Sequence, residues 1–315
     1  MKQINVVKNQ NIFFLISIVI IAIGLLFLVF GGINLDIQFS GGTRILIETN
    51  GEVDSNKAEE LVEKAIGKSV TAQTQKTNNP ASENETIYML RLDIASEETL
   101  STEERDLVVD LITENFDVKE GGNQEMLSVE PSIGRETLLN GLKAVLIASV
   151  LIILYVTWRF STMHGFAAAI TAIIALIHDV AITFTLYPIF KYPLGEVFIT
   201  AALTIIGYSL NNTIVIYDRI RENFKLMRKS TPDEIVNTSV NQSLTRTINS
   251  TTTTLIAVVT LYISASVSNI SSLKEFSLPL IIGLVAGTYS SLFIAGPLWL
   301  TWRKRASMKR ALKKA

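Results

Sequence analysis

The sequence predicts a membrane α-helical protein with six transmembrane helices and one external α+β domain of ferredoxin-like order between the first and second spans. Six apolar runs of about 20 residues are long enough to cross the roughly 30 Å hydrocarbon layer of a bilayer. Charged residues make up 18% of the chain, below the roughly 25% of an average soluble domain. About 100 residues after the first run contain no such run, and they are enough for a small core of their own.

The first apolar run, residues 12–30, is longer than the 7–15-residue apolar region of a secretory signal peptide, and no small-x-small cleavage site precedes Gly31. We therefore expect a retained span, with residues 1–11 in the cytoplasm. Further spans are predicted at residues 138–157, 165–187, 195–217, 248–268 and 278–302, with a cytoplasmic loop at residues 218–247 and a basic cytoplasmic tail at residues 303–315.

The segment 31–135 is predicted to be the external domain. Alternating apolar residues predict strands, and apolar residues at helical spacing predict two helices. Ser101 and Glu104 form a capping box that opens the second helix. The predicted elements are strands at 43–49, 70–75, 86–93 and 126–129, and helices at 55–68 and from 101 onward. This βαββαβ order is the ferredoxin-like split motif, and the segment contains no catalytic constellation.

Charge is distributed unevenly along the chain. Residues 31–137 contain about 22 acids against about 9 bases, whereas the remainder contains about 7 acids against about 19 bases. Because basic loops stay on the cytoplasmic side of a membrane, the acidic domain is predicted outside and both termini inside. The charges therefore predict a multi-pass membrane protein with an external domain.

The composition excludes several kinds of site. The chain has no cysteine, so it has neither a disulfide framework nor a thiol-based metal site. Its two histidines, His164 and His178, are too few for a multi-histidine metal site. We therefore expect no metal and no bound cofactor, and no feature of the sequence indicates a nucleic-acid partner.

Polar residues inside the predicted spans are the candidate functional residues, because hydrocarbon offers them no partners. At helical spacing Tyr208, Asn212, Val215 and Arg219 share one face of the fourth span, which predicts a working surface. The candidate residues of this span are Tyr208, Ser209, Asn211, Asn212 and Thr213.

Two charged residues complete the candidate set. Asp179, beside His178, lies near the middle of the third span, where a carboxylate costs several kcal/mol unless it is paired or protonated. It is therefore a candidate for proton uptake and release, although a structural hydrogen bond to a neighbouring helix would also explain it. Arg246 opens the fifth span, and it either faces other helices through polar contacts or extends to the lipid headgroups.

Four motifs carry a family resemblance. In chain order they are FSGGT at Phe39 to Thr43, the pair His178-Asp179, GYSLNNTIVIYDRIREN in the fourth span and NQSLTRTINSTTTT at the fifth. On these motifs, nearly the whole chain resembles the SecF members of the SecD/SecF family of protein-export membrane subunits, which is related to the resistance-nodulation-division transporters. SecD members carry a different polar motif in their fourth span.

The resemblance implies an auxiliary subunit of the Sec protein translocase. Such a subunit pairs with SecD, associates with the SecYEG channel and with YajC, and uses the proton gradient to promote the translocation and release of preproteins at the outer side of the membrane. The external domain is then expected to contact the emerging polypeptide.

The sequence departs from the family at a central position. Family members usually carry an aspartate where this chain has Asn212, and that aspartate acts with the arginine that matches Arg246. An amide does not titrate, so the proton carrier is either an aspartate of SecD or, in part, Asp179. The motif after the first span also differs, with Asp36 and Gln38 where the family more often has glycine and aspartate.

Two other functions are compatible with parts of the sequence. A half-size proton-coupled exporter of small molecules or lipids would come from the same superfamily, but such exporters usually have twelve spans and two large external domains. An intramembrane protease or another enzyme would need a nucleophile with a base, or paired aspartates, within the spans. Asp179 is the only clear carboxylate predicted at mid-membrane depth, so the sequence predicts no enzyme.

Overall fold

The computed structural model describes residues 4–32, 34–78, 86–95, 100–190, 192–268 and 270–312. Within these ranges six helical segments are long and apolar enough to cross a membrane. In chain order the helices and strands are α1 (Gln10–Gly31), α2 (Ile37–Ser40), β1 (Gly42–Thr49), α3 (Ser55–Ile66), β2 (Val70–Asn78), β3 (Thr86–Ala95), α4 (Thr102–Asn115), β4 (Gln124–Val129), α5 (Pro131–Arg159), α6 (Gly165–Leu186), α7 (Glu196–Leu226), α8 (Pro232–Val267), α9 (Ser271–Ser290) and α10 (Gly296–Leu312).

Helices α6 and α9 form the centre of the helical bundle. More than half of the most apolar part of each is buried, whereas α1, α5 and α8 are almost entirely at the surface. The centre is closely packed because α6 contributes small residues, including Ala168, Ala172 and Ala175, against the large side chains of Tyr217 and Trp299. The exposed faces of α1 and α5 are apolar, as expected of helices that contact lipid.

Several helices extend well beyond the predicted spans. Helix α5 begins at Pro131, seven residues before the predicted start, and α10 continues to Leu312, so most of the predicted tail is helical. Helix α7 continues to Leu226, and α8 begins at Pro232 with a capping box between Thr231 and Glu234. Most of the loop predicted at 218–247 is therefore helical. At 1.5 Å per residue, α8 is about 54 Å long, more than the roughly 30 Å of hydrocarbon, so its polar first turns lie outside the apolar layer. Hydropathy detects only the apolar part of such a helix, and the membrane boundaries themselves stay predictions.

The four strands form one antiparallel sheet in the order β2-β3-β1-β4. The predicted element order βαββαβ is confirmed, and so is the capping box of Ser101 and Glu104 that opens α4. One face of the sheet packs its alternate residues, such as Ile45 and Leu92, against apolar residues of α3 and α4. Most of the loop predicted between β2 and β3, residues 79–85, lies outside the described residues.

The opposite face of the sheet carries charged side chains. Glu48 on β1 is buried, and it accepts hydrogen bonds from the backbone N–H of Asn123 and from the ammonium of Lys119. These two donors hold the pKa of Glu48 below its usual range. Arg44, Arg91 and Asp93 share this face and lie where the sheet meets the ends of the membrane helices.

The segment between α1 and β1 joins the sheet to the helical bundle. The backbone N–H of Asp36 donates to the carbonyl of Leu194, just before α7, at 3.0 Å. Gly41 has φ 77° and ψ 166°, a combination open essentially to glycine alone. A Cβ atom at Gly41 would lie 2.6 Å from the Cα atom of Pro131, the first residue of α5. The glycines of the FSGGT motif therefore allow the backbone to turn here while it contacts α5.

Gly41→Ala is expected to lower the free energy of unfolding by about 2–4 kcal/mol, because it adds backbone strain to a steric clash with Pro131. The matched control is Gly51→Ala, where an added Cβ meets no atom within 4 Å. Thermal unfolding of the purified protein in one detergent measures both. Equal midpoints for the two variants would show that Gly41 is not required by the junction.

Candidate functional site: a polar cluster among the membrane helices

The carboxylate of Asp179 is the centre of a polar cluster inside the bundle. It is completely buried, and its Oδ2 atom accepts hydrogen bonds from Ser209 Oγ at 2.5 Å and Ser290 Oγ at 2.9 Å. Its Oδ1 atom lies 2.9 Å from Nδ1 of His178. The other ring nitrogen of His178, Nε2, lies 2.9 Å from Ser17 Oγ. One carboxylate thus connects four helices: α1, α6, α7 and α9.

The helices approach closely at this cluster. Gly287 on α9 faces it, and a Cβ atom there would lie 2.9 Å from Ser209 and 3.4 Å from Asp179 Oδ2. The ring of Tyr289 stacks on the ring of His178 at a centroid distance of 6.2 Å, and its hydroxyl donates to the carbonyl of Phe13 at 2.8 Å. Small residues on one side and aromatic rings on the other enclose the pair of His178 and Asp179.

The cluster surrounds one carboxyl group with neutral hydrogen-bond partners. Among the described residues, no lysine or arginine side chain hydrogen-bonds to Asp179, so its partners are two hydroxyl groups and an imidazole ring. The two hydroxyl groups on Oδ2 and the imidazole on Oδ1 give a proton alternative positions within hydrogen-bond distance.

Hydroxyl groups continue from the cluster along α7. Thr213 Oγ1 lies 2.9 Å from Ser291 Oγ, which is also 3.3 Å from the carbonyl of Ser209. One turn further, the hydroxyl of Tyr217 lies 2.8 Å from Thr171 Oγ1 and donates to the carbonyl of Ala295 at 3.3 Å. Ser291 to Ala295 form a π-helical turn, an irregularity often found at functional sites. This hydroxyl series is a candidate route for protons toward the C-terminal end of α7.

The predicted site residues separate into two groups. His178, Asp179, Ser209 and Thr213 belong to the cluster and its hydroxyl series. The face predicted from Tyr208, Asn212, Val215 and Arg219 does not join them: Tyr208 donates to Thr254 on α8 at 3.2 Å, and Asn211 is exposed. Asn212 is buried, with no partner for its Nδ2 atom in the described part of the chain. Arg246 is exposed, and no hydrogen bond joins it to Asn212.

Sequence reasoning missed several members of the site, namely Ser17, Thr171, Tyr217, Ser290 and Ser291. A usable signal was present on α7, because Ser209, Thr213 and Tyr217 follow each other at four-residue spacing and so share one face. No comparable signal marked Ser17 or Ser290, since a lone serine in an apolar helix is ordinary. Their membership follows from tertiary packing.

A second polar surface lies on the outside of the bundle. Thr200, Thr204, Gly207 and Asn211 form an exposed stripe on α7. On the adjacent α8, the exposed polar residues at helical spacing are Arg246, Asn249, Thr253, Thr260 and Ser264. Together these residues are called the α7–α8 polar stripe. Small and polar residues are the ones through which membrane helices associate.

Among the residues that the structure describes, no group of three or more histidine and carboxylate side chains could hold a metal ion. A cavity of about 510 Å³ lies at the Arg246 end of the α7–α8 polar stripe. Its lining includes four basic residues and two acidic ones, namely Arg219, Arg221, Lys225 and Arg246 with Asp218 and Glu222.

Comparison with known proteins gives one consistent family. The sequence model for the C-terminal region of the protein export membrane proteins SecD/SecF matches residues 109–305. The chain is 33% identical over 312 residues to the protein translocase subunit SecF of Alicyclobacillus acidocaldarius, covering 98% of this chain and 96% of the relative. It is 34% identical over 309 residues to the protein translocase subunit SecDF of Bacillus subtilis, covering 96% of this chain and 38% of that relative.

The fold is also similar to a solved structure. The crystal structure of SecDF, a translocon-associated membrane protein from Thermus thermophilus, superposes with a TM-score of 0.76 at 28% sequence identity. The similarity covers 96% of this chain and 39% of the solved one. The chain therefore corresponds to about two fifths of the length of the SecDF proteins and to almost the whole length of the SecF relative.

Asp179→Ala is expected to lower the free energy of unfolding by about 1–3 kcal/mol, because it leaves the buried hydroxyl of Ser209 without its acceptor. The hydroxyl of Ser290 can still donate to the carbonyl of Gly287. Asp179→Asn keeps an acceptor oxygen and is expected to cost less than about 1 kcal/mol. Glu60→Ala, which removes an exposed ion pair with Lys64, is the control and should change little. Denaturant unfolding in mild detergent measures all three, and an Asp179→Ala protein as stable as the wild type would contradict the cluster.

Proposed function

Because the chain belongs to the SecD/SecF family of protein-export membrane proteins, we propose that it acts as an auxiliary subunit of the Sec protein translocase, pairs with SecD and uses the proton motive force to promote preprotein translocation and release. Relatives about one third identical over nearly the full chain are named protein translocase subunit SecF, which supports the role in export. The α7–α8 polar stripe supports the pairing with SecD, and the Asp179 cluster supports the use of protons.

The observation that carries this function is the α7–α8 polar stripe. It exposes an arginine and a row of hydroxyl and amide groups on helices that cross the membrane, where hydrocarbon would leave them without partners. In the SecDF relative, a region like this chain occupies only 38% of the length, so that protein contains a further region as well. We infer that a SecD subunit covers the α7–α8 polar stripe and provides the counter-charge for Arg246.

Proton coupling is assigned to the polar cluster. The hydroxyl series of Ser209, Thr213 and Tyr217 begins at the carboxyl group of Asp179, which can titrate. The amide of Asn212 cannot titrate. Moving one proton down a potential of 100 mV releases about 2.3 kcal/mol, which biases a two-state conformational equilibrium tens-fold. That is enough to shift helices whose contacts depend on the protonation of one carboxyl group.

We propose an orientation from the charges at the two ends of the bundle. The N-terminal segment and the polar start of α8 lie at one end, where Asn237 accepts a hydrogen bond from the backbone N–H of Val6 at 2.7 Å. The segment that leads into the sheet lies at the opposite end, where Leu35 pairs with Leu194. We infer that the basic end faces the bacterial cytoplasm and that the acidic sheet domain lies outside, where it would meet emerging preproteins. SecYEG and YajC are the further partners that family membership suggests.

The export function is tested by depleting this chain from its cells and measuring export of a secreted preprotein by pulse-chase. Wild type should restore the export rate, whereas Asp179→Asn should leave it near the depleted level, because the amide cannot take up a proton. Glu52→Gln, which removes an exposed ion pair with Lys76 in the sheet domain, is the matched control and should restore export fully. Equal membrane levels of all variants are confirmed by immunoblot.

The outcomes of this experiment separate the parts of the proposal. If wild type fails to correct the export defect, the assignment to the Sec translocase is wrong. If Asp179→Asn restores export as well as wild type does, the proton carrier belongs to the partner subunit and Asp179 is structural. Rescue by wild type alone supports both parts.

Pairing is tested with a photo-crosslinking amino acid in place of Asn249 or Thr253 on α8. These positions are exposed in the stripe, so illumination of membranes should yield a crosslinked product of this chain with SecD. Leu146 on α5, 65% exposed and surrounded by apolar side chains, is the control and should give no such product. Equal yields of the SecD product at Leu146 and at Asn249 would show that the α7–α8 polar stripe is not the contact surface.

A further inference from the structure

Five charged side chains are buried together where the sheet meets the helical bundle. Arg44 contacts Asp36 at 2.7 Å and Asp93 at 2.5 Å, and Arg91 contacts Asp36 at 3.0 Å and Asp93 at 2.6 Å. Arg91 also reaches Glu275 through Nη1, at 3.3 Å. Each of the five side chains is at most 15% exposed. These residues are called the junction cluster.

The junction cluster connects three separate parts of the chain. Asp36 lies in the segment between α1 and β1, while Arg44, Arg91 and Asp93 lie on the charged face of the sheet. Glu275 lies in the second turn of α9, so its ion pair with Arg91 connects the sheet directly to that helix. The hydroxyl of the fully buried Tyr187 donates to the backbone carbonyl of Glu275 at 3.3 Å, which fixes this end of α9 against the end of α6.

Stability alone is a poor explanation for this arrangement. Removing charges from water costs several kcal/mol per ion, and well-packed apolar side chains often stabilise such a position equally well or better. The cluster also places two guanidinium groups against three carboxylates, so its charges do not cancel when all are ionised. What ion pairs of this kind supply is a defined geometry between the groups that they join.

Helix α9 connects this joint to the Asp179 cluster. Glu275 and Ser290 lie on the same helix, about 22 Å apart along its axis at 1.5 Å per residue. Ser290 donates to the carboxylate of Asp179, and Gly287 packs against Ser209. Immediately beyond Ser290 the α-helix changes to the π-helical turn Ser291–Ala295, an irregularity often found at functional sites. The proline inside α9, Pro279, lies one turn beyond Glu275. One helix thus contacts Asp179 near one end and Arg91 near the other.

We propose that α9 transmits the protonation state of Asp179 to the sheet domain, and that Glu275 is the positioning residue through which this transmission reaches the sheet. The inference rests on the proposed function in one respect, namely that the protonation of Asp179 changes during the working cycle. The contact between Arg91 and Glu275 holds the sheet domain in one position when Ser290 is bound to a charged carboxylate. Loss of that charge releases α9, and the sheet domain follows.

The test is a double-mutant cycle read by a distance between spin labels. This chain has no cysteine, so Glu60→Cys on α3 and Ile189→Cys, three residues beyond the end of α6, introduce its two labelling sites. The labelled full-length chain, with its SecD partner, is reconstituted in lipid nanodiscs. Asp179→Asn, which mimics the neutral carboxyl group, is expected to shift or broaden the distance distribution by about 2 Å, the usual size of a helix shift. Adding Glu275→Gln should abolish that response.

The control cycle combines Asp179→Asn with Glu52→Gln, because the Glu52–Lys76 pair lies in the same domain without contacting α9. In this background the response to Asp179→Asn should be unchanged, as expected for independent sites. A response to Asp179→Asn that persists at full size in Glu275→Gln overturns the proposal, and so does a complete absence of response in the otherwise wild-type chain. Neither outcome bears on the export experiment, which tests the proposed function separately.

A second variant covers the case in which Glu275→Gln fails to fold. Tyr187→Phe removes only the hydroxyl that holds the backbone of Glu275, and the phenyl ring still fills the buried site. This variant should at least halve the response to Asp179→Asn, while the thermal unfolding of the sheet domain stays close to that of wild type. An undiminished response in Tyr187→Phe would count against α9 as the connecting element.

Discussion

The hydrogen bonds to one buried carboxylate determine how the helices of this protein meet. Asp179 has no lysine or arginine partner among the described residues, so its stability in hydrocarbon depends on the hydroxyls of Ser209 and Ser290 and on His178. Each partner comes from α6 or from a helix packed against it, and Gly287 provides the space that their approach requires. Because an unsatisfied carboxylate would be costly at this depth, the contacts of α6, α7 and α9 are linked to its charge. The proposed proton coupling rests on this linkage between the charge of one carboxyl group and the packing of three helices.

Local sequence signals were sufficient for the sheet domain and for the number of spans. The alternation of apolar and polar residues predicted the strands, and the capping box of Ser101 and Glu104 predicted the start of α4. Both signals could be used because they depend only on residues close together in the sequence. The full length of α8 was not predicted, since its first turns are polar and hydropathy responds only to the apolar part. The short helix α2 was missed as well, because four residues carry too little periodicity.

The site was predicted only in part, for a physical reason. Asp179 and His178 are conspicuous in an apolar span, so their chemistry alone identifies them. Ser17 and Ser290 become site residues only because tertiary packing brings them to His178 and Asp179. Tyr208 and Ser209 are neighbours in sequence, yet Tyr208 contacts α8 and Ser209 contacts α6, because successive residues of a helix point about 100° apart. Helical periodicity therefore grouped Tyr208 with Asn212, although their environments differ.

Buried polar groups on both α7 and α8 lack a hydrogen-bond partner within the described residues. They include the Nδ2 atom of Asn212 and the hydroxyl of Thr247, and the exposed guanidinium of Arg246 on α8 has no ion-pair partner there either. Buried polar groups without partners are rare in folded proteins, so several on adjacent helices require a common explanation. The Asp179 cluster offers a contrast inside the same chain, since every polar atom of its carboxylate is paired. The Asp179 cluster is complete within the described residues, whereas the polar groups on α7 and α8 are not. This difference fits a subunit that forms its second polar site together with a partner. In that arrangement an amide at Asn212 is tolerable, because the partner can supply the missing carboxylate opposite Arg246.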